Sequence, residues 1–154
     1  MSDNLPGIYV DADACPVKDE VYRVAQRYGI HVTLVSNKWL CTPREDWLEL
    51  VIVDGELDAA DAWVIEQVAE DDIVITADIL MASECLKKGA RVLGPRGRPF
   101  TEDSIGSALA TRELLSQLRD MGEMTGGPPP FQKRDRSQFL QALDQMVQAV
   151  RRRK

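Results

Sequence analysis

GIYVD, the stretch at residues 7–11, is a short apolar run that ends in a carboxylate, and a helical pattern follows it. Pro16 suits a first helical position, the apolar residues of 17–28 repeat at helical spacing, and Gly29 suits the end of a helix. The same alternation continues along the chain. Further strands are predicted at residues 31–36, 50–53, 72–76 and 91–94, and further helices at 58–70, 79–88, 101–121 and 137–151.

This alternation predicts the fold class. Short strands made almost entirely of apolar residues, separated by helices, indicate an α/β fold with a mostly parallel central sheet of about five strands and helices on both faces. The 154 residues fit one domain, 1–154, with a Gly/Pro-rich loop at 122–130 before the last helix at 137–151. Open sheets of this kind bind ligands at the carboxyl ends of their strands, so polar residues there are the functional candidates.

The composition excludes several classes of protein. Hydrophobic residues make up 44% and charged residues 29% of the chain, which excludes a collagen-like or wholly disordered protein. No apolar run approaches the ~20 residues that span a bilayer, and the first residues lack the features of a signal peptide. Cys15, Cys41, Cys85 and His31 have neither the number nor the spacing of a zinc site. We therefore expect a cytoplasmic protein with reduced thiols and no membrane contact.

Charge is distributed unevenly along the chain. The net charge is −6, but residues 131–154 carry seven basic and two acidic side chains, so residues 1–130 have a net charge of −11. An acidic body disfavours a broad, nonspecific nucleic-acid surface. The basic end either complements the dipole of the last helix or contacts phosphate groups, and the sequence leaves both interpretations open.

Four aspartates are predicted at the ligand-binding edge of the sheet. Asp11 and Asp13 follow the first strand two residues apart, so in extended chain their side chains point to the same side. Asp61 is in line with the apolar row of its helix, and Asp78 follows the fourth strand. Neighbouring carboxylates need a shared proton or a cation, and Mg²⁺ prefers oxygen ligands. We predict that all four are metal ligands and catalytic residues.

Each of these carboxylates also has a structural interpretation. Asp78 suits a helix N-cap, and Asp61 suits the closure of a first helical turn. Asp11 and Asp13 are residues that favour turns. The sequence does not choose between these interpretations and a metal site.

Polar and basic residues on the same edge predict contacts to a phosphate-bearing substrate. Lys38, Arg96 and Arg98 are suited to hold phosphates, and Asn37 to orient a water or a substrate oxygen. The two glycines of the Gly/Pro-rich loop are either a flexible connection or a backbone cradle for phosphate. The predicted substrate-binding residues are Asn37, Lys38, Thr76, Arg96, Arg98, Gly126 and Gly127. Together with the carboxylates they predict phosphodiester hydrolysis, with RNA or a nucleotide phosphate as the partner.

Several segments resemble motifs of the YaiI/YqxD family of bacterial proteins, and they occur in that family's order from about Ile8 to Val150. The segments are VDADACPV at 10–17, ITADI at 75–79, GPRG at 94–97, TGGP at 125–128, and RDR at 134–136 followed by Phe139. The resemblance implies a PIN-like nuclease fold, in which acidic residues at strand ends hold Mg²⁺ or Mn²⁺ for RNA cleavage.

The resemblance also implies roles for individual residues. Asp11, Asp61 and Asp78 match the acidic positions of PIN-like domains, and Asp13 is the acid specific to the family. The family often has Asn-Glu where this chain has Ala62-Trp63, and proline at the position of Leu80. The missing glutamate removes one possible metal ligand.

Three functions of different classes are compatible with these residues. One is a metal-dependent nuclease, and another is a non-catalytic module that binds RNA or nucleotides. The third is a phosphatase similar to the haloacid-dehalogenase group, with Asp11 as nucleophile and Asp13 as acid/base. That chemistry needs a downstream lysine and a further acidic pair after a strand. The lysines at 87–88 lie on a predicted helix and the aspartates at 71–72 precede a strand, so the fit is poor.

Overall fold

A computed structural model describes residues 6–55, 59–107, 110 and 131–153. Among these residues, six strands form one sheet in the order β3-β2-β1-β4-β5-β6. The strands are β1 (Ile8–Asp11), β2 (Val32–Ser36), β3 (Leu48–Ile52), β4 (Ile73–Ile75), β5 (Arg91–Leu93) and β6 (Pro99–Phe100). The first five are parallel, which confirms the predicted α/β fold.

Helices cover both faces of this sheet. They are α1 (Lys18–Tyr28), α2 (Ala59–Gln67), α3 (Ile79–Lys87) and α4 (Lys133–Arg153), and residues 102–107 are also helical. Alternate residues of β1 face opposite sides, as the period of a strand requires. Ile8 and Val10 pack in the core beneath α1 and α4, whereas Tyr9 packs against the core beneath α2 and α3. The prediction of helices on both faces is therefore confirmed.

The register of the central strands determines where the functional candidates lie. Val10 of β1 is paired with Leu34 of β2 on one side and with Ile75 of β4 on the other. The carboxyl ends of β1, β2 and β4 are consequently adjacent at one edge of the sheet. Asp11 is the last residue of β1, and Thr76 directly follows β4.

Two features differ from the sequence prediction. The last helix begins at Lys133 instead of residue 137, because Asp135 Oδ2 accepts a hydrogen bond (2.8 Å) from the Gln132 backbone N–H. Asp135 is the third residue of α4, and its contact with the residue before the helix closes the first helical turn. Strand β6 was not predicted, because two residues paired antiparallel with β5 are too short for a periodic pattern. The predicted loop at 122–130 and most of the predicted helix at 101–121 lie outside the described residues, and the single-domain assignment stays a prediction.

The described helices include no candidate for a membrane span.

Candidate functional site

Asp11 and Thr76 link the ends of the two central strands. Thr76 is 3% exposed, and its Oγ1 donates a hydrogen bond to Asp11 Oδ2 (3.1 Å). Thr76 Oγ1 also accepts a hydrogen bond from the Asp78 backbone N–H (3.0 Å). Thr76 therefore fixes the Asp11 carboxylate and the start of the loop that carries Asp78. A direct contact between Thr76 and a substrate stays a prediction.

Asp13 follows β1, but its side chain is held by residues at the end of the neighbouring strand, β2. The chain leaves β1 through a 3-10 turn at Ala12–Ala14, so the prediction of an extended chain between Asp11 and Asp13 is wrong. The exposed Asp13 side chain reaches the end of β2, where Oδ1 accepts from Ser36 Oγ (2.6 Å) and Oδ2 from the Asn37 backbone N–H (3.0 Å). The turn thus brings Asp13 back over the sheet edge.

Asp78 is the N-cap of α3. Its Oδ1 accepts hydrogen bonds from the backbone N–H groups of Leu80 (2.9 Å) and Met81 (3.1 Å). The capping interpretation of this residue is therefore confirmed. Capping does not remove the carboxylate from the site, because each carboxylate offers about four lone-pair positions.

The four predicted carboxylates line one cavity, which we call the acidic cavity. Asp61 reaches it from the first turn of α2, whose buried Val64 confirms that this helix packs its apolar row against the sheet. The acidic cavity has a volume of about 440 Å³ and is lined by Asp11, Asp13, Asn37, Lys38, Ala60, Asp61 and Asp78. A smaller cavity of about 260 Å³ shares Asp11 and Asp78 with it. Side chains far apart in the sequence thus converge on one small space.

The electrostatics of the site centre on Asp11. Burial raises the pKa of its carboxyl group, the hydrogen bond from Thr76 opposes this shift, and the charges of Asp13 and Asp78 raise the pKa further. Burial and like charges therefore both penalise the ionised form of Asp11. A cation in the acidic cavity would relieve this penalty.

The donor set fits a hard divalent cation in its chemistry. All four acidic side chains offer carboxylate oxygens, which Mg²⁺ and Mn²⁺ prefer. Within the described ranges, no group of three or more Asp, Glu, His or Cys side chains is already arranged around a common metal position. The physical reason is visible for Asp11, Asp13 and Asp78, whose carboxylates turn towards hydrogen-bond donors of the protein.

Two of the predicted substrate-binding residues line the acidic cavity. Lys38 is exposed and brings an ammonium group to a space that four carboxylates also line. The Asn37 amide donates to the Val53 carbonyl oxygen (3.4 Å), and its backbone N–H holds Asp13. Both residues follow β2, as predicted, and their contacts with a substrate stay predictions.

The remaining predicted substrate-binding residues lie elsewhere or outside the described residues. Arg96 turns towards α4, where its Nη1 is 3.1 Å from Asp135 Oδ2 and its guanidinium stacks over the Phe131 ring. Arg98 is exposed in the turn between β5 and β6. Gly126 and Gly127 are not among the described residues. A role of these four residues in phosphate binding stays a prediction.

Two residues at the site were missed by the sequence analysis. Ser36 is fully buried at the end of β2 and donates to Asp13. Cys15 lines the smaller cavity beside Asp11, and burial raises the pKa of its thiol. The signal for Ser36 was its position at a strand end, next to Asn37 and Lys38. No signal pointed to Cys15, because its place depends on the 3-10 turn.

Comparison with known proteins identifies the family. The model of the uncharacterised YaiI/YqxD family matches residues 9–149. A UPF0178 protein of Nitrobacter winogradskyi is 54% identical over 145 residues, which are 94% of this chain and 92% of the relative. A UPF0178 protein of Rhodopseudomonas palustris is 53% identical over 154 residues, 100% of this chain and 98% of the relative. No solved structure matches this chain. The chain belongs to the YaiI/YqxD family, as the motifs indicated.

Proposed function

We propose that this member of the YaiI/YqxD family is a metal-dependent nuclease that hydrolyses phosphodiester bonds, with RNA as its substrate. The observation that supports the proposal is the convergence of Asp11, Asp13, Asp61 and Asp78 on one cavity that Lys38 also lines. A structural aspartate needs only one local partner, such as a helix end or a turn. Four aspartates from separate elements around one space need a common cause, and a bound cation supplies it.

Mg²⁺ or Mn²⁺ is the proposed cofactor, with the four aspartates as its ligands. A bound ion of this type lowers the pKa of water and stabilises the attacking and leaving oxygens of a phosphodiester. The raised pKa of Asp11 supports this choice, because burial and two neighbouring charges leave its ionised form in need of a compensating charge.

The protein's own side chains have separate proposed roles. Thr76 and Ser36 keep the carboxylates of Asp11 and Asp13 oriented, since their hydroxyl groups donate to them. The Lys38 ammonium group holds a phosphate of the substrate at the mouth of the cavity. The Asn37 amide orients an oxygen of the substrate or of the attacking water.

The choice of RNA and of the cytoplasm rests on the sequence. RNA is the substrate that the resemblance to PIN-like nucleases implies, and the reduced state of the thiols fits a cytoplasmic enzyme. The chemistry of the cavity supports the reaction class, phosphodiester hydrolysis, more directly than it supports the polymer.

Cleavage of a labelled single-stranded RNA tests the proposal. We expect cleavage with Mn²⁺ or Mg²⁺, none with EDTA, and a loss of activity in Asp11→Asn. Asp46→Asn is the matched control, because Asp46 is an exposed aspartate of the loop before β3. Cleavage by Asp11→Asn at the wild-type rate, or cleavage in EDTA, would contradict the proposal.

A phosphatase similar to the haloacid-dehalogenase group is the second candidate. The hydrogen bond between Thr76 and Asp11 favours it, because a hydroxyl beside a nucleophilic carboxylate suits phosphate transfer. The lysines first considered for this chemistry are engaged elsewhere, Lys87 with Glu84 and Lys88 with carbonyl groups at the end of α2. Release of phosphate from 4-nitrophenyl phosphate, with an aspartyl-phosphate at Asp11, would favour this candidate over the nuclease.

A non-catalytic binding module is the third candidate, and the same assays separate it. Such a module would bind RNA in a salt-dependent way but would neither cut RNA nor release phosphate.

A further inference from the structure

A second polar cavity lies between the ends of α1 and α4, and we call it the basic cavity. It has a volume of about 490 Å³ and is lined by Tyr28, Gln148, Arg151 and Arg152. Tyr28 ends α1, and the other three residues belong to the last two turns of α4. From the sequence, the basic residues at this end of the chain either complement the helix dipole or contact phosphate groups, and Tyr28 and Gln148 were not selected.

The basic cavity lies at the opposite end of α1 from the acidic cavity. Arg136, near the start of α4, donates to the Pro16 carbonyl oxygen (2.6 Å) just before α1. Asp144, further along α4, is paired with Arg27 near the end of α1 (2.7 Å). The two helices therefore run parallel, and α1 is about 16 Å long.

Asp144 fixes the walls of the basic cavity without neutralising its arginines. Its carboxylate is bound by Arg27 Nη1 and by the Tyr28 hydroxyl. Gln148 Nε2 donates to the same hydroxyl (3.0 Å). In the part of the chain that the structure describes, neither Arg151 nor Arg152 forms an ion pair. Two positive charges are thus left exposed beside hydrogen-bonded polar side chains.

The Tyr28 ring also orients Arg151. The Arg151 guanidinium lies over this ring, 5.1 Å from its centroid, in a cation–π contact. This contact restrains the Arg151 guanidinium, and among the described residues no carboxylate is paired with it. A restrained guanidinium without an acidic partner is suited to bind phosphate oxygens through its N–H groups. The helix dipole explains basic residues at this end of α4, but it does not require a cavity or a stacked tyrosine.

We infer that the basic cavity binds phosphate groups of the RNA backbone, with Arg151 and Arg152 as the contacting residues and Tyr28 as a positioning residue. The identity of the ligand rests on the proposed function, and two exposed guanidinium groups at one cavity provide the chemistry of phosphate recognition. A contact of this kind would hold RNA at a distance from carboxylates that otherwise repel it.

Fluorescence anisotropy of a labelled single-stranded RNA in EDTA, over a range of KCl concentrations, tests the inference. We expect Arg151→Gln/Arg152→Gln to bind more weakly than wild type. Each phosphate contact to a single strand contributes about 0.7 to the slope of log affinity against log salt, so the slope should decrease by about 1.4. Arg23→Gln/Lys87→Gln is the control, because it removes the same charge from exposed positions on other helices. Its slope should stay at the wild-type value.

Two results would overturn the inference. One is wild-type affinity and slope in Arg151→Gln/Arg152→Gln, and the other is an equal loss in the control variant. In the first case, a loss of binding to phosphatidylserine vesicles would assign the arginines to a lipid surface. RNA cleavage with Mn²⁺, measured in parallel, keeps the two proposals separate. If the wild type cleaves RNA and the arginine substitutions leave RNA binding unchanged, only the inference is rejected. If RNA binding depends on the arginines but no cleavage occurs, only the nuclease is rejected.

Discussion

The acidic cavity and the basic cavity differ in how the fold builds them. The acidic cavity takes its side chains from the ends of β1, β2 and β4 and from the start of α2, and hydroxyl or backbone groups hold three of its carboxylates. The basic cavity takes its side chains from two parallel helices and depends on one carboxylate, Asp144. The parallel sheet gathers side chains from four separate segments, whereas the helix pair combines Tyr28 of α1 with one short segment of α4.

This difference also separates the charges of the chain. Burial and like charges crowd the acidic edge, so that the pKa of Asp11 is raised, whereas Arg151 and Arg152 are exposed at the other end. An RNA strand would be repelled by the acidic cavity and attracted by the basic cavity. The proposed cation would offset the negative charge of the acidic cavity, and the proposed phosphate contact would hold the RNA at the basic cavity.

Substitution of Asp78 should have the largest effect on activity, and it separates the role of this residue as a helix cap from its role as a metal ligand. Asn caps helices as well as Asp, so Asp78→Asn should change the free energy of unfolding by less than about 0.5 kcal/mol. It should lower Mn²⁺-dependent RNA cleavage about 100-fold, the upper end of the loss of about 10- to 100-fold that follows when a group supporting a metal ligand is removed. Asp78→Ala should lose the activity and also about 1 kcal/mol of stability. Urea denaturation and the cleavage assay measure the two effects, and an active Asp78→Asn would leave Asp78 as a cap only.

A substitution at Gly97 tests the close packing of the turn between β5 and β6 against α4. Its φ is +88°, and an added Cβ would lie 2.7 Å from backbone atoms of Gln138. Gly97→Ala should therefore destabilise the protein by about 3 kcal/mol, measured by thermal unfolding. Gly106→Ala is the matched control, since Gly106 is helical and has nothing within 4 Å of its added Cβ. The control should be neutral or stabilising by up to about 1 kcal/mol, and equal losses in both variants would contradict the close packing.

Thr76 tests whether the orientation of Asp11 matters for the acidic cavity. Thr76→Val removes the hydroxyl that donates to Asp11 but keeps the volume and branching of the side chain. We expect a loss of Mn²⁺ affinity and of cleavage of about 10- to 100-fold, with Thr76→Ser close to wild type. Calorimetric titration with Mn²⁺ measures the affinity, and full affinity in Thr76→Val would remove Thr76 from the site.

The pH dependence of stability gives the smallest expected effect. The folded pKa of Asp11 is raised above its ordinary value of 3.8, so the folded protein holds this proton more tightly than the unfolded chain. Stability should therefore fall as pH rises from about 3.8 through the folded pKa, and the penalty should be complete above it. In EDTA at pH 7, Asp11→Asn should therefore unfold at a higher temperature than wild type, because the substitution removes the penalised charge. The difference in stability between the two proteins should vanish at low pH. An Asp11→Asn variant less stable than wild type at pH 7 would contradict the penalty on the ionised form of Asp11.

The sequence was sufficient for the fold but only partly for the site. Apolar strands alternating with helices carry a strong periodic signal, and five parallel strands were predicted from it. The ends of β1, β2 and β4 could be placed at one edge because parallel strands share their direction. Asp11, Asn37, Lys38 and Asp78 could be named for that reason alone.

Contacts that depend on local turns or on packing between helices could not be predicted. The 3-10 turn that carries Asp13 to Ser36 and the contact of Asp135 with Gln132 have no periodic pattern. Arg96 followed a strand, as a phosphate ligand would, yet it pairs with Asp135 in the tertiary structure. The basic cavity needs the parallel packing of α1 on α4, which the sequence does not reveal.

Calorimetric titration with Mn²⁺ tests the central claim most directly, that the acidic cavity holds a divalent cation. The comparison is between wild type and Asp11→Asn/Asp78→Asn, with Asp46→Asn as the control for a lost surface charge. We predict saturable binding by the wild type and the control, and no detectable binding by the double variant. Equal binding by all three proteins would show that the aspartates at the strand ends are not the ligands.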